Sequence, residues 1–190
     1  GTFLGTGETL LTAALFENTM FYAENVTEIV NEVNAYVGQV NHEGSDYSTG
    51  SPYNGFEVFN AIEDLTLESV KVYTDFPGER TIEVRDEAGV VIASSLVNIP
   101  SGTTVIDLGF DIPAGSNYKL GTSDATNTAT FGDISPKLKR STAGTNYPYN
   151  VDGLISITNS SFDESRWYYF YDWRVTGISA FACPSDRTGV

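Results

Sequence analysis

The chain has 190 residues, with 25 acidic against 10 basic side chains, a net charge of −15, and a single cysteine and a single histidine. That length suits one domain, or one domain with a fragment, and can bury a core without disulfides or a metal. The acidic balance disfavours nucleic acid and anionic membrane surfaces, one Cys and one His are too few for a Cys/His metal site, and no stretch of about 18 apolar residues offers a membrane span.

The chain opens on Gly1-Thr2-Phe3-Leu4-Gly5-Thr6-Gly7, without a signal-peptide pattern or initiator Met, and reads as a fragment or a processed form. Val26, Ile29, Val30, Val33 and Val37 give the best helical spacing in the chain, but their β-branched content argues against a helix. Residues 41–55 are polar and read as a long loop. Any Ser/His/Asp or Cys/His nucleophile would have to use His42 in this loop, and its surroundings, Asn41-His42-Glu43-Gly44, suggest a solvated histidine. Alternation then begins. Val70 and Val72 alternate with Lys71 and Tyr73 until Pro77-Gly78, and Ile82 and Val84 alternate with Glu83 and Arg85 until Glu87-Ala88-Gly89. Val90 to Ile99 ends at Pro100. Ile106, Leu108, Phe110 and Ile112 alternate with Asp107, Gly109 and Asp111 up to Pro113-Ala114-Gly115, and Tyr118 and Leu120 open a further strand.

Residues 121–152 are rich in Gly, Ser, Thr, Asn and Asp and read as a second long loop. Within it, Tyr147-Pro148-Tyr149-Asn150 predicts an extended segment that either presents two rings or packs at a strand edge. Leu154, Ile155 and Ile157 precede a last long strand from Arg166 to Val175, and Cys183 follows apolar residues as a small packed side chain would. Eight or more short strands with regular turn signals predict an all-β fold: a jelly-roll-like antiparallel β-sandwich with long polar loops.

The most distinctive stretch is Arg166-Trp167-Tyr168-Tyr169-Phe170-Tyr171-Asp172-Trp173-Arg174, which holds both tryptophans. As a continuous strand it would set Trp167, Tyr169, Tyr171 and Trp173 on one face, with Tyr168, Phe170 and Asp172 on the other. One face fills a wide core. The other is expected to meet a ligand, rings stacking on a sugar while Asp172 takes hydroxyls, binds a cation or satisfies phenols. Together with Tyr147 and Tyr149 these are the candidate ligand-binding residues. Most acids are expected to form a solvated negative surface. The alternative is one structural Ca²⁺ in a loop carrying Glu43 and Asp46, Asp124, Asp133, or Asp163 and Glu164. A hydrolase would need two facing carboxyls, for instance Asp163 or Glu164 with Asp172, and no local motif marks such a pair.

Gly5-Thr6-Gly7 through Thr19-Met20-Phe21-Tyr22-Ala23-Glu24 is similar to the strand that closes Ig-like repeats. With Leu67–Tyr73, Gly78–Val84, Phe110–Leu120, Asn146–Tyr149, Tyr168–Trp173 and Cys183–Arg187, it resembles a module of large secreted Bacteroidetes proteins that carry Ig-like repeats and a type IX secretion signal. The chain departs from that pattern at Leu138-Lys139-Arg140-Ser141 and at Arg174, where an acid is usual. The resemblance implies a lead-in over residues 1–27, a jelly-roll-like sandwich over 28–190, an extracellular or cell-surface setting and no catalytic residues. The resulting expectation is a non-catalytic binding or adhesion module that recognises glycan through exposed aromatics. The alternative is a structural spacer or filament subunit that meets only neighbouring protein modules.

Overall fold

Turn chemistry sets the strand spacing. Between two apolar runs, Asp86-Glu87-Ala88-Gly89 closes on itself: the Gly89 N–H donates to Asp86 O at 3.0 Å and the Val90 N–H to the Asp86 carboxylate at 2.8 Å. Gly89 takes φ +86°, where a side chain would be strained. Comparable breaks cut the rest of the chain. A computed structural model describes residues 22–23, 26–47, 52–184 and 188–189. In chain order the strands are β1 (Tyr22–Ala23), β2 (Val26–Val37), β3 (Glu57–Ala61), β4 (Leu65–Thr74), β5 (Gly78–Arg85), β6 (Val91–Ile99), β7 (Gly102–Ile112), β8 (Gly115–Thr122), β9 (Arg140–Ser141), β10 (Tyr149–Val151), β11 (Ile155–Ser160), β12 (Trp167–Tyr168), β13 (Tyr171–Pro184) and β14 (Thr188–Gly189), with helix α1 (Asp124–Phe131) after β8.

A six-stranded sheet runs β10-β11-β3-β8-β5-β6 and a four-stranded sheet runs β2-β13-β4-β7. The pairs β3–β8, β4–β7 and β5–β6 are antiparallel, and with the neighbours β2 and β13 they make the four rungs of one long ribbon. Rolling that ribbon brings β13 beside β4 and β8 beside β5, which is the jelly-roll topology; β11 and β10 widen one sheet. The expected all-β sandwich is therefore the observed one, and Val26–Val37 is a strand, as its β-branched residues required. The chain divides into two compact units, Val30–Phe181 and a smaller one of Gly1–Ile29 with Ala182–Val190, in which β1 pairs with β14. The expected lead-in falls almost wholly outside the described residues, as does the side chain of Cys183.

Alternation puts Phe59 and Ala61 of β3, Ile82 and Val84 of β5, and Ile106, Phe110 and Ile112 of β7 into the core. In β4 the buried set changes phase. Leu65 and Leu67 face inward, then Val70 and Val72, because the ladder to β7 slips between Leu67 and Ser69. Phe59 meets Trp173 of the opposite sheet edge-on at 5.4 Å between centroids. One corner is tied by a buried cation. Arg80 donates to Pro136 O, Gly78 O and Phe76 O at 2.7–2.8 Å and lies 4.5 Å from the centre of the Phe131 ring. Burial lowers its pKa to about 10, so it remains charged at neutral pH.

The expected loop over 121–152 contains α1, β9 and β10. The helix has no apolar stripe. Its buried residue is Asn127, whose amide donates to Thr122 Oγ1 at 2.9 Å and Ile134 O at 3.0 Å, and Gly132 ends it in the left-handed region.

Candidate functional site

The aromatic stretch is not one continuous strand. Trp167 and Tyr168 form β12 against β9, pairing with Ser141 and Arg140, and β13 starts only at Tyr171. Tyr169 at φ +75° lies in the break, and Asp172 at φ +49° sits just inside β13, where the ladder to β4 slips. Because of the break, both indoles converge on a single atom: Trp167 Nε1 and Trp173 Nε1 each donate to Phe170 O at 2.7 Å. A carbonyl has two lone pairs, so this one is saturated.

The expected open ring face is instead interior. Trp167, Tyr171 and Trp173 are 0% exposed and Tyr169 is 3% exposed. The reason is polar satisfaction rather than aliphatic packing. The Tyr169 hydroxyl donates to Tyr53 O at 3.2 Å and accepts the Gly55 N–H at 3.1 Å. The Tyr171 hydroxyl lies 3.0 Å from Ser141 Oγ and 3.3 Å from Lys139 O. Burial raises both phenol pKa values, so both stay protonated. Tyr147 and Tyr149 are half-buried against Trp167, one stacked at 5.4 Å and the other edge-on at 5.0 Å. Tyr149 Oη accepts the Asn146 N–H at 2.8 Å, and the peptide between Tyr147 and Pro148 is cis.

Beneath this block lies a carboxyl that sequence inspection passed over. Glu57 is fully buried, with one oxygen accepting the Tyr168 N–H and the other bonded to the Tyr147 hydroxyl. Tyr147 Oη is also 3.0 Å from Arg166 O. Burial raises the Glu57 carboxyl well above the ordinary carboxylate range, against the pull of its two hydrogen bonds. The Tyr147 O–H and the Tyr168 N–H both donate to it, so each carboxyl oxygen has a protein partner. The sequence signal was Glu57 alternating with Phe59 and Ala61 on the inward side of a strand.

Asp172 is paired with a lysine of β4. Its carboxylate lies 3.2 Å from Lys71 Nζ and its N–H donates to Gln39 O at 3.0 Å. Asp163 is held by Ser165, Asp133 by Lys137, Asp124 by Asn54, and Asp46 by Lys139 at 3.0 Å. Among the described residues no group of three or more His, Cys, Asp or Glu could hold a metal ion. His42 is not solvated as expected. It packs between Tyr73 and Tyr171, with Nε2 3.3 Å from Asp46. The nearby loop is stapled down, since Lys71 and Tyr73 both reach Asn41 and the Glu43 N–H donates to Ser141 Oγ.

A shallow pocket of about 190 Å³ lies on the six-stranded sheet, lined by Asn54, Phe56, Glu83, Arg85, Lys119 and Asp124 among others. Glu83 is ion-paired with Arg85, and Lys119 Nζ sits 5.9 Å from the Phe56 ring centre. These groups come from β5, β8, the start of α1 and the segment before β3, and sequence reasoning had not brought them together. No family model, curated protein or solved structure matches the chain. Its class therefore rests on the fold: an all-β jelly-roll sandwich with an aromatic interior.

Proposed function

We propose that the chain is a non-catalytic structural and adhesion module of a larger extracellular or cell-surface protein, meeting neighbouring protein modules. The single observation that carries this is the convergence of Trp167 and Trp173 on the carbonyl of Phe170. The rings that could have formed a sugar platform instead brace the sandwich. The resemblance to modules of secreted surface proteins supports the setting. Tryptophan emission titrated with polysaccharides, alongside a glycan array, tests it. Emission is expected to stay unchanged, and acrylamide is expected to quench it only after unfolding. Saturable glycan binding abolished by Tyr149→Ala, at a half-exposed ring of the block, would overturn the proposal.

The pocket favours a second role. Alternating Glu83, Arg85, Lys119 and Asp124 around Phe56 suits a small hydroxylated ligand, such as one sugar unit. Array binding lost in Lys119→Ala and kept in Tyr149→Ala would establish that role.

A further inference from the structure

Strand β6 is the outermost strand of the six-stranded sheet, and no described strand pairs with its far side. A long open edge is normally blunted by charge, proline, a bulge or short length. The other outermost strands follow that rule. β2 carries Glu28 and Glu32, β7 carries Asp107 and Asp111, and β10 has only three residues. β6 reads Val91-Ile92-Ala93-Ser94-Ser95-Leu96-Val97-Asn98-Ile99, nine residues without a charge or a proline, and its one ladder slip lies at the Val91 end. Its inward side is anchored, with Ile99 buried and Ala93 and Val97 packed on the core. Its outward side leaves Leu96 61% and Ile92 38% exposed.

We propose that this edge pairs with the same edge of a second copy, antiparallel about a two-fold axis at Ser95. The occupant follows from charge. Each molecule carries −15, so most surfaces of two copies repel, whereas β6 against β6 opposes no carboxylate to another within the ladder. In this register Ser94 faces the second copy's Leu96, Ala93 faces its Val97 and Ile92 its Asn98, so the two leucines and two isoleucines gather on one side. The acidic turn at Asp86-Glu87 of one copy falls beside the uncharged Ile99-Pro100-Ser101 corner of the other. The contact is isologous and closes at two copies. It goes beyond the proposed structural role and would hold equally if the pocket bound a sugar.

Sedimentation equilibrium on the 190-residue chain tests it. A discrete dimer is expected, tightening with added NaCl as net repulsion is screened. Leu96→Glu should weaken it by about tenfold or more, because the two introduced carboxylates lie diagonally across the axis. Adding Ser94→Lys to that variant should restore association, since each lysine then faces a glutamate of the other copy. Both positions are exposed, and circular dichroism checks that the variants remain folded. A monomer at all salt concentrations, a dimer indifferent to Leu96→Glu, failure of the double variant to recover, or an open-ended polymer would each overturn the proposal.

Discussion

A carboxyl in the interior has a direction of pH dependence that its neighbours dictate. Burial raises Glu57 well above its ordinary value of 4.5, so over the range above that value the folded chain holds a proton that the unfolded chain releases. Stability from this residue is complete below the ordinary value and is lost as pH rises toward the folded value. The slope is at most about 1.4 kcal/mol per pH unit for one proton. Glu57→Gln keeps the geometry without the titration. Its amide N–H can donate to Tyr147 Oη and its carbonyl can accept from Tyr168. The variant should match the parent at acid pH and gain on it steadily toward neutrality in urea unfolding curves. Asp75, Asp133 and Asp163 are shifted the opposite way by their hydrogen bonds, but they are common to both proteins, so the difference curve isolates Glu57. A difference that stays flat with pH would show that the buried carboxyl is not protonated in the native state. At this scale the sequence was only half legible. Tyr147, Tyr149 and the two tryptophans were visible as a group. Their inward orientation was not, because it depends on left-handed backbone at Tyr169 and Asp172. Asp tolerates that conformation and offered a faint signal, whereas Tyr offered none.

Among the elements, β12 is two residues long and owes its place to what lies on Trp167. Gly38, just past β2, takes φ +93°, and a Cβ there would come within 2.8 Å of the Trp167 ring. Gly109, in β7, takes φ +60°, and a methyl added there would meet nothing within 4 Å, so only the backbone conformation resists substitution. Gly109→Ala should therefore cost about 1–2 kcal/mol, the left-handed penalty alone. Gly38→Ala should add an overpacking penalty of about 1–3 kcal/mol and shift the tryptophan emission. Equal losses in chemical denaturation, with unchanged emission, would mean that β12 yields without loss and does not brace the sandwich. Strands β4 to β8 were readable from alternation and turn residues, down to the β5–β6 hairpin, whereas β3, β9, β10 and the break between β12 and β13 were not. Helix α1 was not, because Asn127 anchors it by hydrogen bonds and no apolar stripe marks it. The Thr and Asn residues before Gly132 look like loop.

For the whole molecule, charge sets the response to ions. A chain at −15 with ten basic residues has far more acid than its cations can pair, and several of those cations are held by neutral oxygens, as Arg80 is. Self-repulsion is then a general load on the folded state, acting over distances that salt shortens to about 8 Å at physiological strength. The acids that could have made a calcium loop have protein partners instead: Lys137 for Asp133, Ser165 for Asp163, Asn54 for Asp124 and Lys139 for Asp46. Screening and specific binding separate cleanly in thermal melts. Raising NaCl from low to physiological strength should stabilise the chain by about 1 kcal/mol, or roughly 2–4 °C in Tm for this size. CaCl₂ at matched ionic strength should give a similar rise, because a diffuse negative surface responds to screening by any cation. A saturating, stoichiometric increase with Ca²⁺ beyond matched NaCl, reversed by chelator, would instead require an ordered calcium site. The same melts run at several protein concentrations link this scale to the open edge of β6. If two copies pair there, Tm rises with concentration and the rise disappears in Leu96→Glu, whereas screening alone leaves Tm independent of concentration.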